Sequence, residues 1–219
     1  MFTIFSSPKG GSGTSVAAAS LAIVSSSTTR TLLVDLAGDQ AAILGLPEPP
    51  VGLSDWVNEM THHNFDEILI DCDNNLFLAP SGSFDFDILT VNAWKNLSQA
   101  LARKVDDGFN IIIDFGTEEM PLALNRFPHQ HYIVTRPCYL SLRRAVNLEK
   151  SFSGVVVIHE PDRVLTTSDI ESVLKLKCVA EVPYSREISR RVDSGLLKSR
   201  LPMSLQTALM PLVQLDVNL

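Results

Sequence analysis

The plainest chemistry in the chain lies near its start, in Ser6-Ser7-Pro8-Lys9-Gly10-Gly11-Ser12-Gly13-Thr14-Ser15. Three glycines within four positions let a backbone turn tightly with several N–H groups pointing inward. Ser12, Thr14 and Ser15 add hydroxyls, and Lys9 adds a cation. Met1 to Phe5 alternates and is rich in β-formers, which predicts a buried strand; Val16-Ala17-Ala18-Ala19-Ser20-Leu21-Ala22 has high helix propensity. Strand, loop, helix sets the glycines at the positive end of a helix dipole, where an anion binds. The common phosphate-loop pattern G-x-x-x-x-G-K-[ST] ends in a lysine for the β and γ phosphates and a hydroxyl for magnesium. Here the pair is Thr14-Ser15, so the hydroxyl is present and the lysine is replaced. The dinucleotide fingerprint G-x-G-x-x-G is absent, and no acid stands at its usual offset.

Two acids end apolar runs. Thr31-Leu32-Leu33-Val34-Asp35 predicts a second parallel strand, and Phe109-Asn110-Ile111-Ile112-Ile113-Asp114 predicts a strand buried on both faces. A carboxylate at a strand's carboxyl end, beside a phosphate site, can hold magnesium through water. The same position also suits a cap or turn residue. Asp39, in Ala37-Gly38-Asp39, reads as a turn residue first and as a substitute acid second.

Lys9 directly before Gly10-Gly11, with Gly13 and Ser15, resembles the deviant loop K-G-G-x-G-K-[ST] of the ParA/MinD family of ATPases. Further stretches carry the same resemblance from Phe2 to about Leu209. Asp35 matches the first acid of the family's V-D-x-D and Ala37 replaces the second; Asp114 matches the Walker B acid. Thr135-Arg136-Pro137 through Ser141, Arg143 and Ala145 is similar to T-x-P-x-x-x-S-x-R-x-A, and Val182-Pro183 to the family's last strand. His159-Glu160-Pro161 stands where relatives often end a strand on an adenine-reading asparagine. The resemblance implies ATP held by Lys9, Gly10, Gly11, Ser12, Gly13, Thr14 and Ser15, and Mg2+ held by Ser15, Asp35 and Asp114. It implies catalytic parts for Lys9, Asp35 and Asp114, with Lys9 reaching the partner subunit's nucleotide across a homodimer. With Thr14 and Ala37 in place of two residues that hydrolysis uses, the expected function is that of a degenerate member with slow or absent hydrolysis. Such a protein would position or assemble a cellular machine, such as the pilus machinery served by the similar TadZ/CpaE branch. The alternatives are an active ATPase of DNA partition or division-site placement, and a nucleotide-free dimeric scaffold.

The elements that must position these residues alternate as strand and helix. That pattern predicts an α/β fold: a doubly wound, mostly parallel sheet with helices on both faces. The site belongs at the carboxyl ends of its strands. A length of 219 residues suits one domain, 1–219, and 45% apolar with 20% charged residues is a globular composition. Cys72, Cys138 and Cys178 lack paired spacing and fit reduced thiols in a cytoplasmic protein. No run reaches the roughly 18 apolar residues of a membrane span. A net charge of -7 argues against a broad nucleic-acid surface. Arg186, Arg190, Arg191, Lys198 and Arg200 could still form a DNA patch, but a solvated helix face is the favoured reading. Residues 203–219 predict a final helix docked on the core and interrupted by Pro211, without the cationic face of a membrane anchor. His62-His63 and His129-x-His131 lack a third ligand at a metal spacing and read as surface or satisfied core histidines.

Overall fold

The computed structural model describes residues 1–58, 64–83, 90–117, 121–124, 127, 129–148 and 151–215. Among them the strands are β1 (Phe2–Ser6), β2 (Thr31–Asp35), β3 (Ile70–Asp71), β4 (Leu76–Ala79), β5 (Asn110–Asp114), β6 (Gln130–Thr135), β7 (Gly154–Ile158) and β8 (Cys178–Val182). They form one sheet in the order β3-β4-β2-β5-β1-β6-β7-β8. Every pairing is parallel except that of the short edge strand β3 with β4. The helices are α1 (Thr14–Ser26), α2 (Gln40–Ile43), α3 (Leu53–Asn58), α4 (Val91–Asp106), α5 (Tyr139–Val146), α6 (Thr167–Leu174), α7 (Arg186–Asp193) and α8 (Met203–Leu215). This is the expected doubly wound α/β architecture.

Alternation along each strand divides the core in two. Ile4, Leu32, Val34, Ile111 and Ile113 point into a cluster with Leu53, Leu97 and Leu101 of α3 and α4. Phe5, Leu33, Ile112, Val134 and Val156 point to the opposite face and pack with α1 and α8. α1 meets both the sheet and α8, and its buried Ala17, Ala18, Ala19 and Ala22 let the backbone approach closely on either side. β1 lies at the centre, with β2 and β5 on one side and β6 on the other, so its following loop opens where the chain reverses direction across the sheet.

Three local expectations change. Glu67 to Cys72 reads as one extended piece, yet Phe65–Ile68 is a 3-10 turn and β3 keeps only two residues. The cause is Asn64, whose side chain accepts from the Asp66 amide (3.4 Å) and caps that turn. Ser185 to Leu197 reads as one helical stretch, yet the helix ends at Asp193, because Gly195 takes a φ of +64°. Pro211 does not interrupt α8. A mid-helix proline costs about 3 kcal/mol, whereas Leu205, Leu209 and Leu212 are fully buried and contribute about 1.5–3 kcal/mol each. Pro211 and Thr207, four residues before it, also lie on the exposed face, so the freed carbonyl is left to water.

Candidate functional site

The loop after β1 is closed and internally braced. The Ser7 amide donates to the Gly116 carbonyl (2.8 Å), tying the loop to the end of β5. The hydroxyls of Ser12 (2.7 Å) and Ser7 (3.1 Å) both donate to the Lys9 carbonyl. Gly11 and Gly13 adopt φ values of +75° and +93°, a region closed to most side chains. A Cβ on Gly10 or Gly11 would meet nothing within 4 Å, so this stretch of backbone lies bare. The first helical bond of α1 runs from the Ala17 amide to the Gly13 carbonyl (3.0 Å). The amides of Thr14, Ser15 and Val16 therefore precede any helical acceptor and face outward at the positive end of the helix.

Above this turn lies a groove of about 640 Å³. Gly10 to Val16 form its floor, Ala37 and Asp39 one wall, and Gly116 and Thr117 another. A smaller cavity of about 290 Å³ adjoins it, with apolar walls from Ile158, Pro183, Tyr184 and Ile188. Gly10, Gly11, Ser12, Gly13, Thr14 and Ser15 are thus brought to one surface. Lys9 does not line the groove; the residue is half-buried, and no carboxylate among the described residues pairs with it.

Asp35 and Asp114 meet beneath the floor, opposite one another on paired strands and both fully buried. Asp35 is already well supplied with donors: Oδ1 accepts from the amides of Ala37 (3.1 Å) and Gly38 (2.7 Å), and Oδ2 from that of Gln40 (3.0 Å). Burial raises its pKa from 3.8 to about 6 against those amides, with the charge of Asp114 adding to the rise. Asp114 is raised too, chiefly by burial, while hydrogen bonds from the Ser15 and Gln40 side chains act in the opposite direction. Gln40 joins these groups. Its Nε2 donates to Asp114 Oδ2 (2.8 Å) and to the Ser15 carbonyl (3.0 Å), while its Oε1 is buried with no partner. Thr14 Oγ1 is likewise buried and unpartnered.

Buried oxygens with raised carboxyl pKa values suit a hard cation, which would relieve two crowded acids and accept the idle Gln40 oxygen. The loop amides suit a phosphate. No family model matches the sequence, and no curated protein matches it either. Solved structures do match. A ParA family ATPase from Chlorobium tepidum TLS superposes with a TM-score of 0.75 at 22% identity, covering 96% of this chain and 98% of that one. The chain has the fold of the ParA/MinD ATPases. MinD in the MinC:MinD cell division complex of Aquifex aeolicus gives 0.78 at 19% identity, covering 100% and 96%. MinD from Pyrococcus horikoshii OT3, complexed with Mg-ADP, gives 0.76 at 17% identity, covering 99% and 96%.

Within the ParA/MinD fold two residues carry more than their sequence signals suggest. Gln40 follows a turn and bears no charge, so only its buried contacts reveal it. Arg136, inside the Thr135-Arg136-Pro137 stretch, lines both cavities. Asp39 is indeed at a turn, as the cap of α2, but its side chain makes no cap bond and it lines the groove. The histidines within the described residues are partnered: His129 Nδ1 with the Phe127 carbonyl (2.6 Å), buried His131 with the Ser6 hydroxyl (2.8 Å), and His159 Nε2 with the Glu181 carboxylate (2.7 Å). His62 and His63 lie outside the described residues. In the late basic cluster, Arg191 pairs with Glu187 (3.9 Å) and Lys198 with Asp73 (3.5 Å), as on a solvated helix face. No described helix is long and apolar enough to cross a membrane.

Proposed function

We propose that this chain binds a nucleoside triphosphate with Mg2+ and acts in the spatial positioning or assembly of a cellular machine, with weak or absent hydrolysis. The observation that carries this reading is the braced glycine turn at the start of α1, bare of side chains and facing a groove of about 640 Å³. Gly10 to Ser15 would hold the phosphates, and the apolar cavity beside them would hold the base. The Ser15 hydroxyl and Asp114 would hold the magnesium, with Asp35 behind them fixing the turn that carries Gln40. Magnesium would supply the positive charge that neutralises the β and γ phosphates. Positioning rather than turnover follows from Thr14 and Ala37, which stand where a cation and an acid would serve hydrolysis. A homodimer working with protein partners belongs to the same reading, and a pilus-assembly role of the TadZ/CpaE kind is one form of it.

Thermal unfolding with and without magnesium-ATP tests this reading. Ligand at 100 times its dissociation constant adds about 2.7 kcal/mol, so the melting temperature rises by several degrees, and Ser15→Ala removes the dependence on magnesium. No rise in the wild type would leave the nucleotide-free scaffold. One observation favours a second reading, retained hydrolysis: Asp39, free of a capping bond, faces the groove near the missing acid. Phosphate release that is measurable in the wild type and lost in Asp39→Asn would establish it.

A further inference from the structure

The two cavities join at Gly13, Val16, Arg136 and Val192, which line both. Among the described residues Arg136 is the only lysine or arginine that lines the larger groove; the loop contributes none, since Thr14 replaces the lysine and Lys9 stays outside. Arg136 follows the end of β6, and Cys138 donates its amide back to the Arg136 carbonyl (2.7 Å), so the backbone there is fixed by a tight turn before α5. Its guanidinium is half-buried and incompletely used. One terminal nitrogen pairs with Glu160, while Nε is buried without a partner. Glu160 does not depend on Arg136, because Arg163 holds it from the other side through Nε (2.8 Å) and a terminal nitrogen. A five-donor fork with an idle donor, beside a carboxylate that keeps a second cation, is able to turn to a new anion at small cost.

We propose that Arg136 supplies positive charge that the loop itself lacks, at a different phosphate from the one a loop lysine serves: it binds the phosphate nearest the nucleoside, at the junction of the two cavities, and exchanges Glu160 for that phosphate. The proposal rests on the nucleotide reading of the groove and adds to it the source of its charge. The placement has a specific consequence. A cation at the junction contacts the innermost phosphate, so it strengthens mono-, di- and triphosphates alike, whereas a lysine at position 14 would favour the triphosphate.

Calorimetric titration of the full chain with AMP, ADP, ATP and adenosine, each with magnesium, tests the exchange. Arg136→Gln should weaken all three nucleotides by about tenfold to a hundredfold, as for one charge-assisted contact, and leave adenosine unchanged. Arg136→Lys, which keeps the charge, should recover most of that loss. Glu160→Gln frees the guanidinium and should tighten the nucleotides severalfold. Equal weakening by Arg136→Gln and Glu160→Gln would make the pair a structural brace and overturn the proposal. So would wild-type binding that Arg136→Gln leaves intact, with the nucleotide reading still standing. Absence of any binding by the wild type would remove both. Melting of each unliganded variant identifies a fold defect, in which case the Arg136→Lys and Glu160→Gln comparison decides.

Discussion

Asp35 ends its strand with a buried carboxylate held by backbone amides. Its sequence position, ending an apolar strand, announces a carboxylate at the site, but nothing in the sequence says that three amides of the following turn occupy it. Its pKa, raised from 3.8 to about 6, has a sign that stability must follow. The folded state holds this proton more tightly than the unfolded chain does. Its contribution is therefore greatest below about pH 4 and is lost as pH rises to about 6, after which it is constant. A shift of this size corresponds to about 3 kcal/mol. Urea unfolding of the wild type and Asp35→Asn should show their stability difference moving against the wild type by that order between pH 4 and 7. A difference that does not change with pH would show the carboxyl ionised at its ordinary pKa. Gln40 was illegible for the opposite reason. An uncharged residue after a turn carries no sequence signal, and its importance comes only from the two buried acids folded against it.

At the scale of elements, the walls of the groove are held apart and together by two glycines remote in sequence. Gly45 follows α2, whose Ala42 and Ile43 line one wall, and Gly195 follows α7, whose Val192 lines the other. Both adopt positive φ, +70° and +64°, and a Cβ on Gly45 would lie 2.0 Å from the Gly195 carbonyl oxygen. That contact is backbone against backbone, so no rotamer change relieves it. Gly45→Ala should cost roughly 2–5 kcal/mol, the sum of left-handed backbone strain and overpacking, and should weaken nucleotide binding by parting the walls. Gly10→Ala is the control: with open space around it, the change should alter stability by less than about 0.5 kcal/mol in chemical denaturation. Equal losses of stability from the two would mean that the Gly45–Gly195 contact does not hold the walls. The alternation of strands with helices was legible because apolar runs and their periods mark buried faces, but the order of the strands in the sheet was not. The Gly45–Gly195 contact was not, since two isolated glycines announce turns but not that the turns touch. Helix ends failed for a related reason: Pro211 reads as a stop, and only the burial of Leu205, Leu209 and Leu212 on α1 and β8 reverses it.

For the whole molecule, what matters is which subunit's groove Lys9 serves. It lies outside the groove's lining without a carboxylate partner among the described residues, and the start of α5 exposes Tyr139 (74%) and Leu140 (41%). A cation that does not line its own groove is available to a ligand in a second subunit. Twofold symmetry then counts every such contact twice. Two charge-assisted contacts at about 1.5–3 kcal/mol each would strengthen a nucleotide-bound dimer by roughly a hundredfold or more. Sedimentation with a non-hydrolysable ATP analogue and magnesium should therefore show dimers of the wild type and monomers of Lys9→Ala at the same protein concentration. The Lys9→Ala monomers should still gain melting temperature from the nucleotide, because Arg136 and the loop amides belong to one subunit. If Lys9→Ala instead loses binding as a monomer, the lysine turns inward to its own groove, and the division of labour between the two cations is wrong. If both proteins dimerise without nucleotide, the interface stands on apolar contacts such as Tyr139 and Leu140, and the groove no longer controls assembly.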